Sequence, residues 1–161
     1  MLAALFAAAL FSPPLQGDDL TRDVLVNVCL PFVGGEKDRA PAEFLGFTVV
    51  SEEGPVVEME SGDAVTRSGG DRIAKYMLQL ADDEGDDDGE VLRACTLQGR
   101  TIDFASARGA VRRPLEQAGF VAEPTTSANR ALWTKGAVTV SVRQAEGRAT
   151  VVRVTYTSTE E

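Results

Sequence analysis

Apolar and polar positions alternate with a period of two near the end of the chain. Val138, Val140 and Val142 are interleaved with Thr139, Ser141 and Arg143, and beyond Glu146-Gly147 a second β-branched run extends from Thr150 to Thr157. This alternation predicts a hairpin of two half-buried strands. A second hairpin with a longer tip is predicted from Ile73 to Ala81 and from Val91 to Leu97, and extended chain from Phe47 to Met59 and from Phe120 to Glu123. Leu20, Val24 and Val28 recur instead at helical spacing. Val24-Leu25-Val26 also suits a strand, but the pattern favours a helix over 20–32, capped by Asp18 or Asp19 and ended by Pro31 and Gly34-Gly35. Another helix is predicted to start near Asp103, with Phe104, Ala107 and Val111 inward, and to kink or restart at Pro114.

Shifting the chain on itself by 73 residues brings one string onto another. Arg39, Pro41, Glu43, Gly46 and Phe47 fall on Arg112, Pro114, Glu116, Gly119 and Phe120, a shared R-x-P-x-E-x-x-G-F. Each position has a mechanical reason. Proline suits the first turn of a helix, where its missing N–H has no partner to lose. The glutamate then sits by the positive end of the helix dipole, the glycine supplies a left-handed cap, and the phenylalanine starts a strand that packs back on the helix. Thr66-Arg67 and Thr134-Lys135 precede the two hairpins in the same way. The fold class read from this is α+β: two tandem α-β-β-β units, residues 18–98 and 99–161, joined into one antiparallel sheet with the helices on one face. A three-stranded sheet alone buries too little, so one composite domain is expected.

The opening of the chain is of another kind. Residues 1–17 contain no Asp, Glu, Lys or Arg, and Met1 to Phe11 is an apolar run followed by Ser12-Pro13-Pro14. The run is too short to span a bilayer, so no transmembrane helix is expected in the mature chain. It matches the apolar core of a secretory signal peptide ending near Gln16 or Gly17, although basic residues before it and an A-x-A box are lacking. The other reading is a short helix packed on the core of a cytoplasmic protein. Cys29 and Cys95 belong to no C-x-x-C pair, which argues against a zinc knuckle or redox motif; one structural disulfide is the economical expectation, with two buried thiols as its alternative.

Net charge is −9 and is unevenly divided. Residues 18–98 carry 7 basic and 19 acidic side chains, a net of −12, whereas residues 99–161 carry 9 and 6, a net of +3. Much of the acid lies in a hairpin tip at 82–90. There Glu84, Asp86 and Asp88 followed by Gly89 imitate part of an EF-hand loop, but the first ligand is Glu rather than Asp and Cys95 stands where the bidentate Glu belongs. A solvated acidic loop is the simpler reading, and Ca2+ the one cofactor in view. Arg108, Arg112 and Arg113 form a basic helix stretch that would suit an anionic partner, or simply a solvated face; the overall charge disfavours nucleic acid.

The chain has no histidine, which excludes Ser-His and Cys-His nucleophiles and His-ligated zinc. Its glycines form no phosphate loop. What is left is carboxylate chemistry, for which Glu43 and Glu116 are the symmetric candidates of a hydrolase, although both are explained as helix-start residues. Trp133 and Tyr156 are expected in the core. The expectation is therefore a non-catalytic exported protein, periplasmic or secreted, that binds an unidentified protein or envelope component through its sheet; a calcium-responsive module and a carboxylate hydrolase are the alternatives.

Overall fold

The computed structural model describes residues 17–62, 65–66, 72–83 and 91–158. The predicted first helix is present and longer than expected. It runs as α1 (Gly17–Val24), a π-helical turn (Leu25–Cys29) and α2 (Leu30–Val33). Asp18 and Asp19 are themselves helical rather than cap residues, and Pro31 does not end the helix. The wide turn stands directly before Pro31, whose ring would collide with the Asn27 carbonyl in a regular helix and whose nitrogen has no hydrogen to donate. Termination comes at Gly35, at φ 105°, where Gly35 N donates to Phe32 O and Glu36 N to Pro31 O. Two ridges at four-residue spacing, Leu20/Val24/Val28/Phe32 and Leu25/Cys29/Val33, are buried against the sheet.

The sheet has eight antiparallel strands: β1 (Thr48–Glu53), β2 (Val56–Ser61), β5 (Tyr76–Asp83), β6 (Val91–Gly99), β7 (Val121–Glu123), β8 (Arg130–Lys135), β9 (Val138–Gln144) and β10 (Thr150–Ser158). A two-stranded piece, β3 (Val65–Thr66) with β4 (Arg72–Ile73), stands apart. The stretch expected as one extended segment from Phe47 to Met59 is instead the hairpin β1–β2, turned by Gly54-Pro55. The strand β8 likewise turns into β9 at Gly136-Ala137. Both are two-residue turns with glycine first, at φ 56° and 55°, the arrangement whose twist matches that of the flanking strands. Each half thus contributes four strands to the sheet rather than three.

Strand order is β1-β2-β5-β6-β10-β9-β8-β7, which places corresponding strands of the two halves at equal distances from the central β6·β10 pair. That pair runs from Thr150↔Gly99 to Ser158↔Val91 without a break. The outer strands are weak: β1 carries a bulge between Val49 and Ser51, and β7 has only three residues.

The two R-x-P-x-E-x-x-G-F strings close alike and open differently. In the first, Gly46 N donates to Glu43 O and Phe47 N to Ala42 O; in the second, Gly119 N donates to Glu116 O and Phe120 N to Leu115 O. Gly46 and Gly119 have φ of 89° and 84°, a region L side chains avoid. Phe47 and Phe120 are both buried. Pro41 lies in the first turn of the five-residue α3 (Ala40–Phe44), as expected. Pro114 lies inside α4 (Phe104–Gln117), which runs through it without a restart. Packing explains the difference, since Ala107, Val111 and Leu115 are fully buried where α4 lies on β8, β9 and β10.

Helix α3 packs on the π-helical turn, and α1, α2 and α4 pack on one face of the sheet. The start of α4 is pinned there by Asp103, which accepts from Ser106 N at 2.8 Å, by Phe104 N donating to Gln144 Oε1, and by the buried Thr150 hydroxyl donating to Ile102 O. A disulfide between Cys29 and Cys95, 66 residues apart, fastens the π turn to the central strand β6. Trp133 is in the core as expected, and Tyr156 packs at its margin under Arg93. No helix among the described residues is long and apolar enough to cross a membrane.

Cross-linking a loop of this length stabilises a fold by about 4 kcal/mol in the chain-entropy account. Reduction, or the joint substitution Cys29→Ala and Cys95→Ala, should therefore lower the stability measured by denaturant titration by about that amount. A loss under about 1 kcal/mol would mean that helix–sheet packing alone sets the stability.

Candidate functional site

Because side chains alternate across a strand, the sheet presents two faces of opposite character. Under the helices, one row reads Val49, Met59, Leu78, Leu97, Val152, Val142, Ala131, and the next reads Val57, Leu80, Cys95, Val154, Val140, Trp133, Ala122. The other face carries no described helix. Its central row is Glu58, Gln79, Thr96, Arg153, Ser141, Leu132, Glu123, flanked by Glu60, Met77, Gln98, Val151, Arg143, Arg130 on one side and Val56, Ala81, Ala94, Thr155, Thr139, Thr134, Val121 on the other. The face is mainly polar and, apart from the buried Ala94, half or fully exposed, with small and apolar residues interspersed.

Charge on this open face is unevenly divided. Glu53, Glu58, Glu60 and Asp83 stand on β1, β2 and β5, and Glu123 stands on the edge strand β7, where it accepts from the Thr134 hydroxyl at 2.6 Å; Arg153, Arg143 and Arg130 stand on β10, β9 and β8. Glu58 accepts a hydrogen bond from Gln79, whereas the side chains of the three arginines have no ion-pair or hydrogen-bond partner among the described residues. Arg130 and Arg143 are directly opposed across β8 and β9, an arrangement that costs stability because like charges meet side by side.

Positions equally distant from the central pair show where the halves agree. Under the helices Met59 matches Trp133, Leu78 matches Val140, Leu80 matches Val142, Cys95 matches Val152 and Leu97 matches Val154, so apolar character is kept throughout. On the open face Glu58 matches Leu132 and Glu60 matches Thr134, while Arg153, Arg143 and Arg130 match Thr96, Ala81 and Val56. The halves keep one face and differ in the charge of the other.

The residues nominated from the sequence lie elsewhere and are not brought together. Arg39 makes a two-bond ion pair with Glu52, at 2.8 and 3.1 Å, over a 180 Å³ cleft floored by Phe32, Val57 and Leu80 and also bordered by Lys37 and Asp82. That volume is small for an organic ligand. Glu43 is exposed, and Glu116 is exposed and paired with Arg112 at 2.8 Å. Neither glutamate lines this cleft or the two others described here. Arg113 borders a 430 Å³ hollow with Asp19 and Arg22, and Arg108 is exposed on the same helix. Glu84, Asp86 and Asp88 lie outside the described residues. A third cleft, of 740 Å³, is bounded by Val26, Pro31, Pro41, Leu45 and Phe44, the last 91% exposed.

The open-face arginines escaped the sequence reading. The alternation over 138–143 already put Arg143 on the polar side of its strand, but only the cross-strand register sets Arg130 and Arg153 beside it. Comparison of the chain with protein-family models, with curated proteins and with solved structures finds no match.

Two carboxylates are held below the usual range: Glu52 by its hydrogen bond and attraction to Arg39, and Asp103 by the Ser106 backbone N–H and hydroxyl. A depressed folded-state value stabilises the fold above the unfolded-state value near 4, and this is lost as pH falls through the folded value. In thermal melts, Glu52→Gln and Asp103→Asn should lower Tm at pH 7 and converge on the unmodified protein in acid, as pH falls through the depressed folded-state values. The Glu52 effect should shrink in 1 M salt, because the pair is exposed. A difference in Tm that is independent of pH would show that the charges contribute nothing.

Proposed function

We propose that the protein is an exported, non-catalytic binding module built from two copies of one unit, a helix followed by four sheet strands, and that it docks a protein partner on the open face of the joined sheet. The observation that carries this reading is the contrast between the two faces. Positions under the helices keep apolar character in both halves, as a shared core demands, whereas the open face carries carboxylates on β1, β2 and β5 and three arginines on β8, β9 and β10, with Glu123 alone acidic at the far edge among the described strand residues of that half. Packing does not require that divergence. A broad, half-exposed face with mixed polar and small apolar residues resembles a non-obligate interface in composition, and unevenly divided charge fixes the orientation of a partner.

Support for a non-catalytic role comes from the missing histidine and from the placement of Glu43 and Glu116, both of them exposed and apart from the three clefts. Export is supported by the disulfide, which persists in oxidising compartments, and by the apolar, uncharged opening of the chain. Intact-mass measurement of the native protein, with alkylation before and after reduction, should find residues up to about Gln16 or Gly17 removed and both cysteines alkylated only after reduction. An unprocessed chain with free thiols would return it to the cytoplasm.

The docking face is tested with a photo-crosslinking side chain placed at Thr96, at the centre of the open face, and separately at Phe44. Thr96 should capture one protein from the exported fraction. That protein, once purified, should bind the unmodified chain in a defined stoichiometry, and Thr96→Trp should weaken the binding by roughly tenfold or more while Phe44→Ala leaves it unchanged. Capture through Phe44 alone, or binding indifferent to Thr96→Trp, would move the interface to the helical side.

A further inference from the structure

We infer that Arg130, Arg143 and Arg153 form the recognition element of the open face, and that it takes a carboxylate-rich patch on the surface of a folded protein. This rests on the reading of the open face as a docking surface and adds the chemistry of its partner. The three arginines belong to adjacent strands and neighbouring positions: Arg130 is opposite Arg143, and Arg153 is opposite Ser141, two residues along β9 from Arg143. All three are exposed, and none has a carboxylate partner among the described residues. Their counterparts in the other half, Val56, Ala81 and Thr96, are uncharged. An unneutralised pair of like charges on paired strands weakens the free protein, and carboxylates supplied by a partner would remove that cost on binding. Arginine is also suited to this work, because its planar fork holds a carboxylate through two hydrogen bonds.

The setting of the trio narrows the partner. The chain as a whole is at −9, so an acidic surface is repelled at long range and attracted locally by the arginines of β8–β10, and that attraction sets its orientation. A uniformly charged polyanion laid across the sheet would also meet Glu58 and Glu60 on the same face. A folded protein can place acid over the arginines and neutral or basic groups over the carboxylates. The observations therefore favour an acidic protein patch over nucleic acid or a sulfated polysaccharide.

The test is an amide NMR titration of the disulfide-bonded protein with a glutamate-rich peptide and, separately, with a heparin oligosaccharide. The peptide should give saturable shifts confined to β8, β9 and β10 that fade with salt. The double variant Arg143→Glu/Arg153→Glu should weaken them at least tenfold, and Arg108→Glu/Arg112→Glu/Arg113→Glu should leave them intact. A purely structural role is separated by melting. Arg143→Glu alone would face Arg130 with an opposite charge and should leave Tm unchanged or raise it by about 1–3 °C; a fall of more than about 3 °C would make the arginines structural and overturn the inference. It is also overturned if no shift occurs at millimolar peptide, if shifts persist in Arg143→Glu/Arg153→Glu, if they centre on α4, or if the oligosaccharide binds more tightly. A protein captured through Thr96 and indifferent to Arg143→Glu/Arg153→Glu would sink this inference and leave the docking face standing.

Discussion

The pairing of β6 with β10 is the contact on which the rest of the molecule depends. Every other ladder of the large sheet joins strands that follow one another in sequence or are separated only by the short β3–β4 piece, so each half is a local meander. The central ladder alone joins residues on opposite sides of α4 and the second meander. It turns two four-stranded sheets, each with a bare inner edge, into one. The disulfide ends on this ladder, at Cys95 opposite Val154, so the first helix is tied to the seam rather than to the rim. Closing the seam carries a larger loop-closure cost than the local ladders do.

The seam explains why the two faces tolerate different side chains. Directly under the helices, the side chains of the core rows fill a volume shared with α1, α2 or α4, and an unpaired charge there would lose its hydration without gaining a partner. Leu80 and Val142, or Leu97 and Val154, can exchange one apolar shape for another and little more. On the far side a side chain is answerable only to its cross-strand neighbours and to solvent. There Ala81 can stand where the other half has Arg143, and nothing in the core registers the change.

Much of this architecture was legible in the sequence, and what was not has physical causes. The hairpin of β9 and β10 was readable because its alternation is clean and its turn has Glu146-Gly147. The first helix was readable from Leu20, Val24 and Val28, but its length was not, since the widened turn that accommodates Pro31 has no signature of its own. The hairpin within 47–59 was missed although Gly54-Pro55 marks a turn, because Val49, Val50, Val56 and Val57 read together as one β-branched run. Pro114 was placed at a helix restart by its local preference, and tertiary packing of Val111 and Leu115 overrode it. The open-face arginines are 10 to 13 residues apart in sequence, and only the register of three strands makes them neighbours. The tip at 84–90 lies outside the described residues, and its chemistry stays at the level of the sequence.

The two outermost strands have a consequence for how assemblies can grow. A long, flat outer strand is an invitation to lateral β-augmentation, by a peptide or by the next molecule in a fibril. Here the bulge in β1 interrupts the outward row of amides, Glu52 and Glu53 charge its far end, and β7 offers only three residues before the chain turns away at Pro124. Side-by-side polymerisation is thereby discouraged at both ends, in a molecule whose sheet would otherwise be an efficient template for it.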